Sequence, residues 1–148
     1  MKIFPIIKPT LLYSYWPLLK EGFTVLQEKG RCEETLDMVL KNLFHNVYTI
    51  YFIADDNDKY TGFLALKVVQ EIYKDKQVNI LVIQHHYQKE KSVNKKMNAD
   101  IQTYIDNVAI QFDCSFLKMY TKRKADRYLK ELGYSESYTE YVKPVQGE

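Results

Sequence analysis

The sequence predicts a single α+β domain that spans residues 1–148, with a mixed, mostly antiparallel sheet flanked by about four helices. Segments with strand-like and helical spacing occur in the order strand, two helices, three strands, helix, strand, helix, strand, which is typical of this class. Three strands in a row favour antiparallel pairing, whereas a long helix between two later strands favours a parallel crossover. No glycine- or serine-rich linker divides the 148 residues, which are enough to bury a core.

The first half of the chain starts with an extended segment at residues 3–8 and continues with two amphipathic helices. The first helix is predicted by apolar residues at helical spacing, and Gly30 is placed to end it. These apolar residues are Leu12, Tyr15, Trp16, Leu19, Phe23 and Leu26. The same spacing predicts a second helix at Leu36, Val39, Leu40, Leu43 and Phe44.

Three strands are predicted next. Residues 47–54 are β-branched and aromatic, and a turn-forming Asp-Asp-Asn-Asp run separates them from residues 62–73. These two segments predict an antiparallel hairpin. Residues 78–84 are apolar enough for a central strand that is buried on both faces, and residues 85–96 are predicted to form a polar loop.

The C-terminal part is predicted to contain a long helix, a short strand, a helix and a last strand. The long helix has apolar residues at helical spacing, namely Met97, Ile101, Tyr104, Ile105, Val108 and Phe112. Residues 115–121 form the short strand, and residues 124–134 form a helix with Gly133 as its C-terminal cap. Residues 137–143 alternate as a last strand before Pro144.

Composition and charge limit the classes of partner. A net charge of +2 is too small to make nucleic acid or an acidic membrane an expected partner. The 13 tyrosines fit half-buried sheets and also fit a surface for a protein partner or for self-association. Six basic residues near the C-terminal helix either form a solvated face or bind nucleic acid: Lys118, Lys122, Arg123, Lys124, Arg127 and Lys130.

The N-terminal segment is apolar but is interrupted by Lys8 and by three prolines, so neither a signal peptide nor a membrane span is predicted. We therefore expect a cytoplasmic protein. Cys32 and Cys114 are far apart and have no metal-ligand spacing, which predicts two reduced thiols. His85 and His86 adjoin each other without a third ligand, so no metal site is predicted.

Two stretches of the chain resemble the GNAT (acyl-CoA N-acyltransferase-like) superfamily. Residues 82–97, VIQHHYQKEKSVNKKM, are similar to the family's passage from strand through loop to helix. Residues 124–143, KADRYLKELGYSESYTEYVK, are similar to its ending, where a Leu-Gly-aromatic corner precedes the last strand. With the order of the elements, the resemblance covers nearly the whole chain and implies a GNAT-like fold.

In the family, the first of these stretches binds the pyrophosphate of acetyl-CoA through backbone N–H groups at a helix N-terminus. The matching positions here are Gln88, Lys89, Lys91, Ser92, Val93 and Asn94. Lys91 and Val93 occupy the two positions where the family has small residues, and their side chains would intrude on the phosphate path. The loop lysines could still attract a phosphate by charge, or they could form a solvated basic loop.

The catalytic positions that the resemblance implies are also altered. Many relatives carry a Glu where this chain has Gln77 and a Tyr where it has Leu129, and neither replacement can transfer a proton near neutral pH. Tyr128 and Glu71 are the candidate substitutes for the acid and the base, and the His pair offers another base. Tyr128 also fits the buried face of its helix, and Glu71 also fits the solvent-facing side of its strand.

Three functions are left open. The first is a non-catalytic GNAT-like protein that uses no cofactor and binds a protein partner or itself, similar to assembly-associated virion proteins of tailed bacteriophages. The second is an N-acetyltransferase that uses acetyl-CoA with an altered site. The third is a nucleic-acid or other interaction module that relies on the basic cluster. Acetyl-CoA binding separates the first two.

Overall fold

The computed structural model describes residues 1–6, 9–89, 95–119, 133–135 and 143–144. The helices and strands of this part of the chain follow one another in the predicted order. They are β1 (Lys2–Pro5), α1 (Pro9–Glu28), α2 (Leu36–Phe44), β2 (Thr49–Ala54), β3 (Tyr60–Tyr73), β4 (Lys76–Gln88), α3 (Lys95–Gln111) and β5 (Cys114–Met119).

The five strands form one sheet in the order β1-β2-β3-β4-β5. β1 to β4 pair antiparallel with their neighbours, whereas β5 lies parallel to β4 and is reached through α3. This arrangement confirms the predicted mixed, mostly antiparallel α+β sheet with a helical crossover. The predicted helix at residues 124–134 and the strand at residues 137–143 lie outside the described residues, apart from the ends of these ranges.

Both N-terminal helices have identifiable ends. Gly30, with φ of 66°, closes α1, because its N–H bonds the Gln27 carbonyl at 2.9 Å and the next N–H bonds the Leu26 carbonyl at 2.8 Å. Thr35 caps α2 by accepting a hydrogen bond from the Met38 N–H at 3.2 Å. Residues 31–34 form the short connection between these two capped helix ends, and Glu34 is the last of them.

The helices cover opposite faces of the sheet and create two cores. α1 and α2 pack on one face, where Phe23, Phe52 and Phe63 are completely or almost completely buried. α3 packs on the other face through Ile101, Ile105, Val108 and Ala109. Strand residues alternate between the two cores, as the period of a strand requires.

β4 is longer than the sequence predicts, and this corrects one expectation. Residues 85–88 belong to the strand and not to the predicted polar loop, because they pair with residues 62–65 of β3. The pairing shifts at Gln84: Ile83 lies opposite Leu66, but His85 lies opposite Ala65. This one-residue bulge reverses the alternation, so His85 points towards Phe23 and Tyr48 of the α1/α2 core although simple alternation would place it under α3.

Candidate active site

The candidate site lies where β4 continues beyond its pairing with β5. The last described pair of the two strands is Ile83 opposite Met119, and β4 then runs on to Gln88. The Lys89 N–H bonds the Thr61 carbonyl of β3 at 2.8 Å, so by alternation the Gln88 N–H points away from β3. Within the described residues, the end of β4 therefore presents backbone groups on the side where residues 79–83 pair with β5.

A buried polar network adjoins the bulge on the α1/α2 face. His85 Nε2 lies 2.8 Å from one carboxylate oxygen of Glu34. The other oxygen accepts hydrogen bonds from Asn42 Nδ2 at 2.8 Å and from the Tyr48 hydroxyl at 3.0 Å. The Glu34 side chain is 16% exposed and lies between the buried His85 and Tyr48, so its carboxylate replaces lost water contacts with three protein donors.

The surrounding structure fixes the orientation of both ionisable groups. The Glu34 carbonyl accepts hydrogen bonds from the Gln27 side chain and, at 3.7 Å, from the Cys32 thiol. The Phe23 and Tyr48 rings meet the imidazole edge-on, with centroids 5.2 and 5.7 Å away. His85 thus has one rotamer set by packing and by a carboxylate, as in the orienting pairs of many general bases.

Burial and hydrogen bonding shift the pKa values of this network in consistent directions. Burial lowers the pKa of His85 and outweighs the opposing effect of Glu34. Burial alone would raise the pKa of Glu34, but hydrogen bonds from His85, Asn42 and Tyr48 outweigh it and lower the pKa. The pair is therefore a carboxylate and a neutral imidazole near neutral pH. With Nε2–H donated to Glu34, the basic lone pair of His85 is on Nδ1.

Gln88 and Lys89, two residues of the predicted cofactor loop, lie at the end of β4. Gln88 Nε2 donates to Met97 Sδ of α3 at 2.7 Å, and its Oε1 is buried without a hydrogen-bond partner among the described residues. Lys89 Nζ lies 5.2 Å from the centroid of the Tyr60 ring and 4.0 Å from a Glu21 carboxylate oxygen. The Gln88 side chain thus contacts α3, whereas the Lys89 side chain contacts α1 on the other face of the sheet.

The remaining predicted site residues are elsewhere or outside the described residues. Lys91, Ser92, Val93, Asn94 and Tyr128 are outside them, so their proposed roles stay predictions. Glu71 lies opposite Val78 at the other end of β4, roughly 20 Å along the strand from His85. There it forms an ion pair with Lys118 of β5 at 2.6 Å.

The sequence pattern did not reveal the partners of His85. Glu34 and Asn42 are separated from it by 51 and 43 positions, and no local spacing connects them. Glu34 precedes a helix start, where an acidic residue usually serves the helix N-terminus. His85 and Tyr87 are two positions apart at the end of β4 and face the same core. This alternation is consistent with a strand, but it does not reveal the bulge that precedes it.

The described residues contain neither a metal-binding cluster nor a membrane-spanning helix. No group of three or more His, Cys, Asp or Glu side chains in the described ranges is placed to hold a metal ion. Among the described helices, none is both long and apolar enough to cross a membrane.

Comparisons with solved structures identify the fold. No family model and no curated protein sequence matches the chain. A GNAT family acetyltransferase from Staphylococcus aureus superposes with a TM-score of 0.68 at 11% identity, covering 98% of this chain and 100% of the other. A ribosomal-protein-alanine N-acetyltransferase from Brucella melitensis gives 0.69 at 15% identity, with 98% and 100% coverage.

A possible acetyltransferase from Clostridium difficile gives a TM-score of 0.69 at 17% identity and covers 97% of each chain. Identities this low establish the arrangement of the backbone and not the chemistry. The superpositions nevertheless span nearly the whole length of every chain compared. The chain therefore has the α+β fold of the GNAT acetyltransferases.

Proposed function

We propose that the protein is an acyl-CoA-dependent N-acyltransferase in which His85 is the general base and Glu34 positions it. The observation that carries the proposal is the buried Glu34–His85 pair beside the β4 bulge. The fold shared with named acetyltransferases supports acetyl-CoA as the acyl donor. This function corresponds to the second of the three that the sequence leaves open.

Acyl transfer to an amine is assisted by a base that is unprotonated at working pH, and a neutral imidazole meets this requirement. The amine gives a proton to His85 Nδ1, its nitrogen attacks the thioester carbonyl carbon, and the C–S bond breaks as the C–N bond forms. The thiolate that leaves must then take up a proton, and Tyr128 remains the predicted donor. The imidazolium that forms at His85 is stabilised by the Glu34 carboxylate at 2.8 Å.

The end of β4 supports binding of the acyl donor. The pantetheine arm of acetyl-CoA contains two amides, which can hydrogen-bond to a strand edge such as the one after Ile83. Gln88, Lys89 and the loop positions Lys91 to Asn94 would then face the pyrophosphate. Because Lys91 and Val93 stand where small residues let a phosphate approach, we expect weaker binding than a glycine loop would give.

A non-catalytic binding protein is the second candidate, and the burial of His85 favours it. With 7% of its surface exposed, the imidazole could serve only to satisfy Glu34 within the core. A virion or assembly role, as in the bacteriophage proteins that the sequence resembles, would be one form of this candidate. It predicts a protein that neither binds acetyl-CoA nor transfers its acyl group.

Titration with acetyl-CoA by calorimetry separates the two candidates. We expect binding by the natural protein, and tighter binding by the Lys91→Gly, Val93→Gly double variant. Absence of binding by both proteins would reject the proposed acyltransferase. Binding by the double variant alone would indicate a GNAT fold that has lost its cofactor.

Rates of CoA thiol release with a panel of amines test the role of His85. We expect His85→Gln to lower the rate about 10²-fold or more. His45→Gln is the matched control, because His45 is exposed at the end of α2, and Glu71→Gln tests the base that the sequence suggested. A rate lost in Glu71→Gln but kept in His85→Gln would reverse the assignment.

Glu34→Gln tests the positioning role separately from folding. The amide keeps the shape of the side chain but removes the charge that raises the pKa of His85. We expect the acidic limb of the pH–rate profile to move to lower pH, together with a lower maximum rate. If Glu34 had only a structural role, Glu34→Gln would lower the amount of folded protein, and the acidic limb of the pH–rate profile would stay at the same pH.

A further inference from the structure

On the side of β3 that faces β2, half of the strand has no pairing partner among the described residues. Its last pair with β2 is Leu66 opposite Thr49, and the strand continues to Tyr73. Over the seven residues Lys67–Tyr73, β3 has β4 on one side and no strand on the other within the described part of the chain. Unpaired strand edges are templates for pairing with another chain.

This edge is held in strand geometry by its own hairpin. β3 pairs with β4 without interruption from Leu66 to Tyr73 opposite Lys76, and β5 supports β4 from the far side. The Tyr73 ring packs on Phe116 of β5 with centroids 4.8 Å apart. An incoming strand would therefore meet a preorganised partner and would not have to order it.

Apolar side chains accompany the open edge on the α3 side of the sheet. Val68 and Ile72 are on this side and are 43% and 80% exposed. Val68 also borders a recess of about 180 Å³ with Val47 and Phe112, which are themselves exposed. The described surface thus combines free backbone groups with a contiguous apolar margin, as interaction sites do.

We propose that this edge pairs with the same edge of a second copy, antiparallel about a two-fold axis at Gln70. A two-fold contact must be self-complementary, and the open stretch 67–73 has Gln70 at its midpoint. In this register Val68 of each protomer lies opposite Ile72 of the other. The dimer therefore contains two such pairs, and all four exposed side chains become buried. The two sheets become one continuous sheet.

Neighbouring registers fit less well. An axis at Glu71 places two carboxylates directly opposite each other, which is destabilising. An axis at Val69 moves Ile72 opposite Leu66, whose edge is already paired with Thr49. With the axis at Gln70, Lys67 faces Tyr73 and Glu71 faces Val69, so no like charges lie directly opposite each other. Seven residues form a small interface, and we expect a dissociation constant of roughly 1–100 μM.

Disulfide trapping tests the register. Across an antiparallel two-fold the Gln70 Cα atoms would be about 4.5–5.5 Å apart, which suits a disulfide, so Gln70→Cys should cross-link under mild oxidation. Gln77→Cys is the matched control, because Gln77 is exposed, bonds the Gln70 side chain at 2.8 Å and is one strand further from the edge. Equal yields from the two variants, or none from Gln70→Cys, would overturn the proposal.

Sedimentation velocity tests the pairing without a cross-link. We expect the natural protein to form dimers at high micromolar concentration, and Val68→Lys or Ile72→Glu to remain monomeric. The double variant Val68→Lys, Ile72→Glu should dimerise again, because each lysine then faces a glutamate of the other copy. A monomeric natural protein, or a double variant no better than the single ones, would refute the two-fold at Gln70.

Discussion

Among single residues, Gly62 allows β3 to lie close to β4, and Gly22 allows α1 to lie close to the sheet. A Cβ added at Gly62 would collide with the Tyr87 carbonyl oxygen and the Gln88 side-chain oxygen. A Cβ added at Gly22 of α1 would collide with the Phe63 and Tyr87 rings. The first obstacle includes the backbone of β4, whereas the second consists of aromatic rings. Gly62 is therefore the position where the core can adjust least.

We predict that Gly62→Ala lowers the free energy of unfolding by about 2–3 kcal/mol and costs more than Gly22→Ala. Ring movement relieves the clash at Gly22, and alanine gains up to about 1 kcal/mol in helix propensity there. Urea unfolding of the two variants measures the difference. Gly30→Ala is the control for backbone effects alone, since Gly30 has φ of 66° and no neighbour within 4 Å of the added atom. Equal losses at Gly22 and Gly62 would contradict the prediction.

At the scale of elements, the β3–β4 hairpin turns through two residues that are poorly suited to it. Lys74 and Asp75 both have positive φ, 49° and 64°, and Tyr73 pairs with Lys76 across them. This is the geometry of a type I′ turn, which strongly prefers Asn-Gly. Left-handed conformations cost ordinary residues roughly 1 kcal/mol each.

We predict that the Lys74→Asn, Asp75→Gly double variant raises the free energy of unfolding by about 0.5–1 kcal/mol. Thermal and urea unfolding at matched pH measure the gain. Lys74→Ala is the control, because it removes the same long side chain and keeps a residue unsuited to positive φ. A gain of the same size in this control would show that the turn geometry is not the cause.

The elements also show what the sequence could and could not predict. Helical and strand-like spacing located α1, α2, β2, β3 and α3 to within a few residues, since each buries one regular face. The end of β4 was missed because its polar residues resemble a loop, and only pairing with β3 shows otherwise. The partners of His85 come from distant segments, so no local pattern could connect them.

At the scale of the whole molecule, the buried pair links folding to pH. The pKa of His85 is lowered from 6.5 by burial, and Lys67 lowers it further while Glu34 opposes both. Below about pH 6.5 the unfolded chain therefore binds a proton on this histidine that the native state resists. The pKa of Glu34 is lowered from 4.5, so the same argument applies to it below about pH 4.5. Both groups make the native state less stable as the pH falls.

We predict that the urea midpoint falls between about pH 7 and pH 5, and that His85→Gln removes much of this fall while leaving the steeper loss at lower pH. In the window above the range of Glu34, the histidine is the buried group of the network that changes its charge. Urea titrations at closely spaced pH values check the effect, and exposed His45 changed to Gln provides the matched control. If the natural protein and His85→Gln lose stability in parallel between about pH 7 and pH 5, the imidazole is not held neutral by its burial, and its proposed readiness to accept a proton from an amine is lost with it.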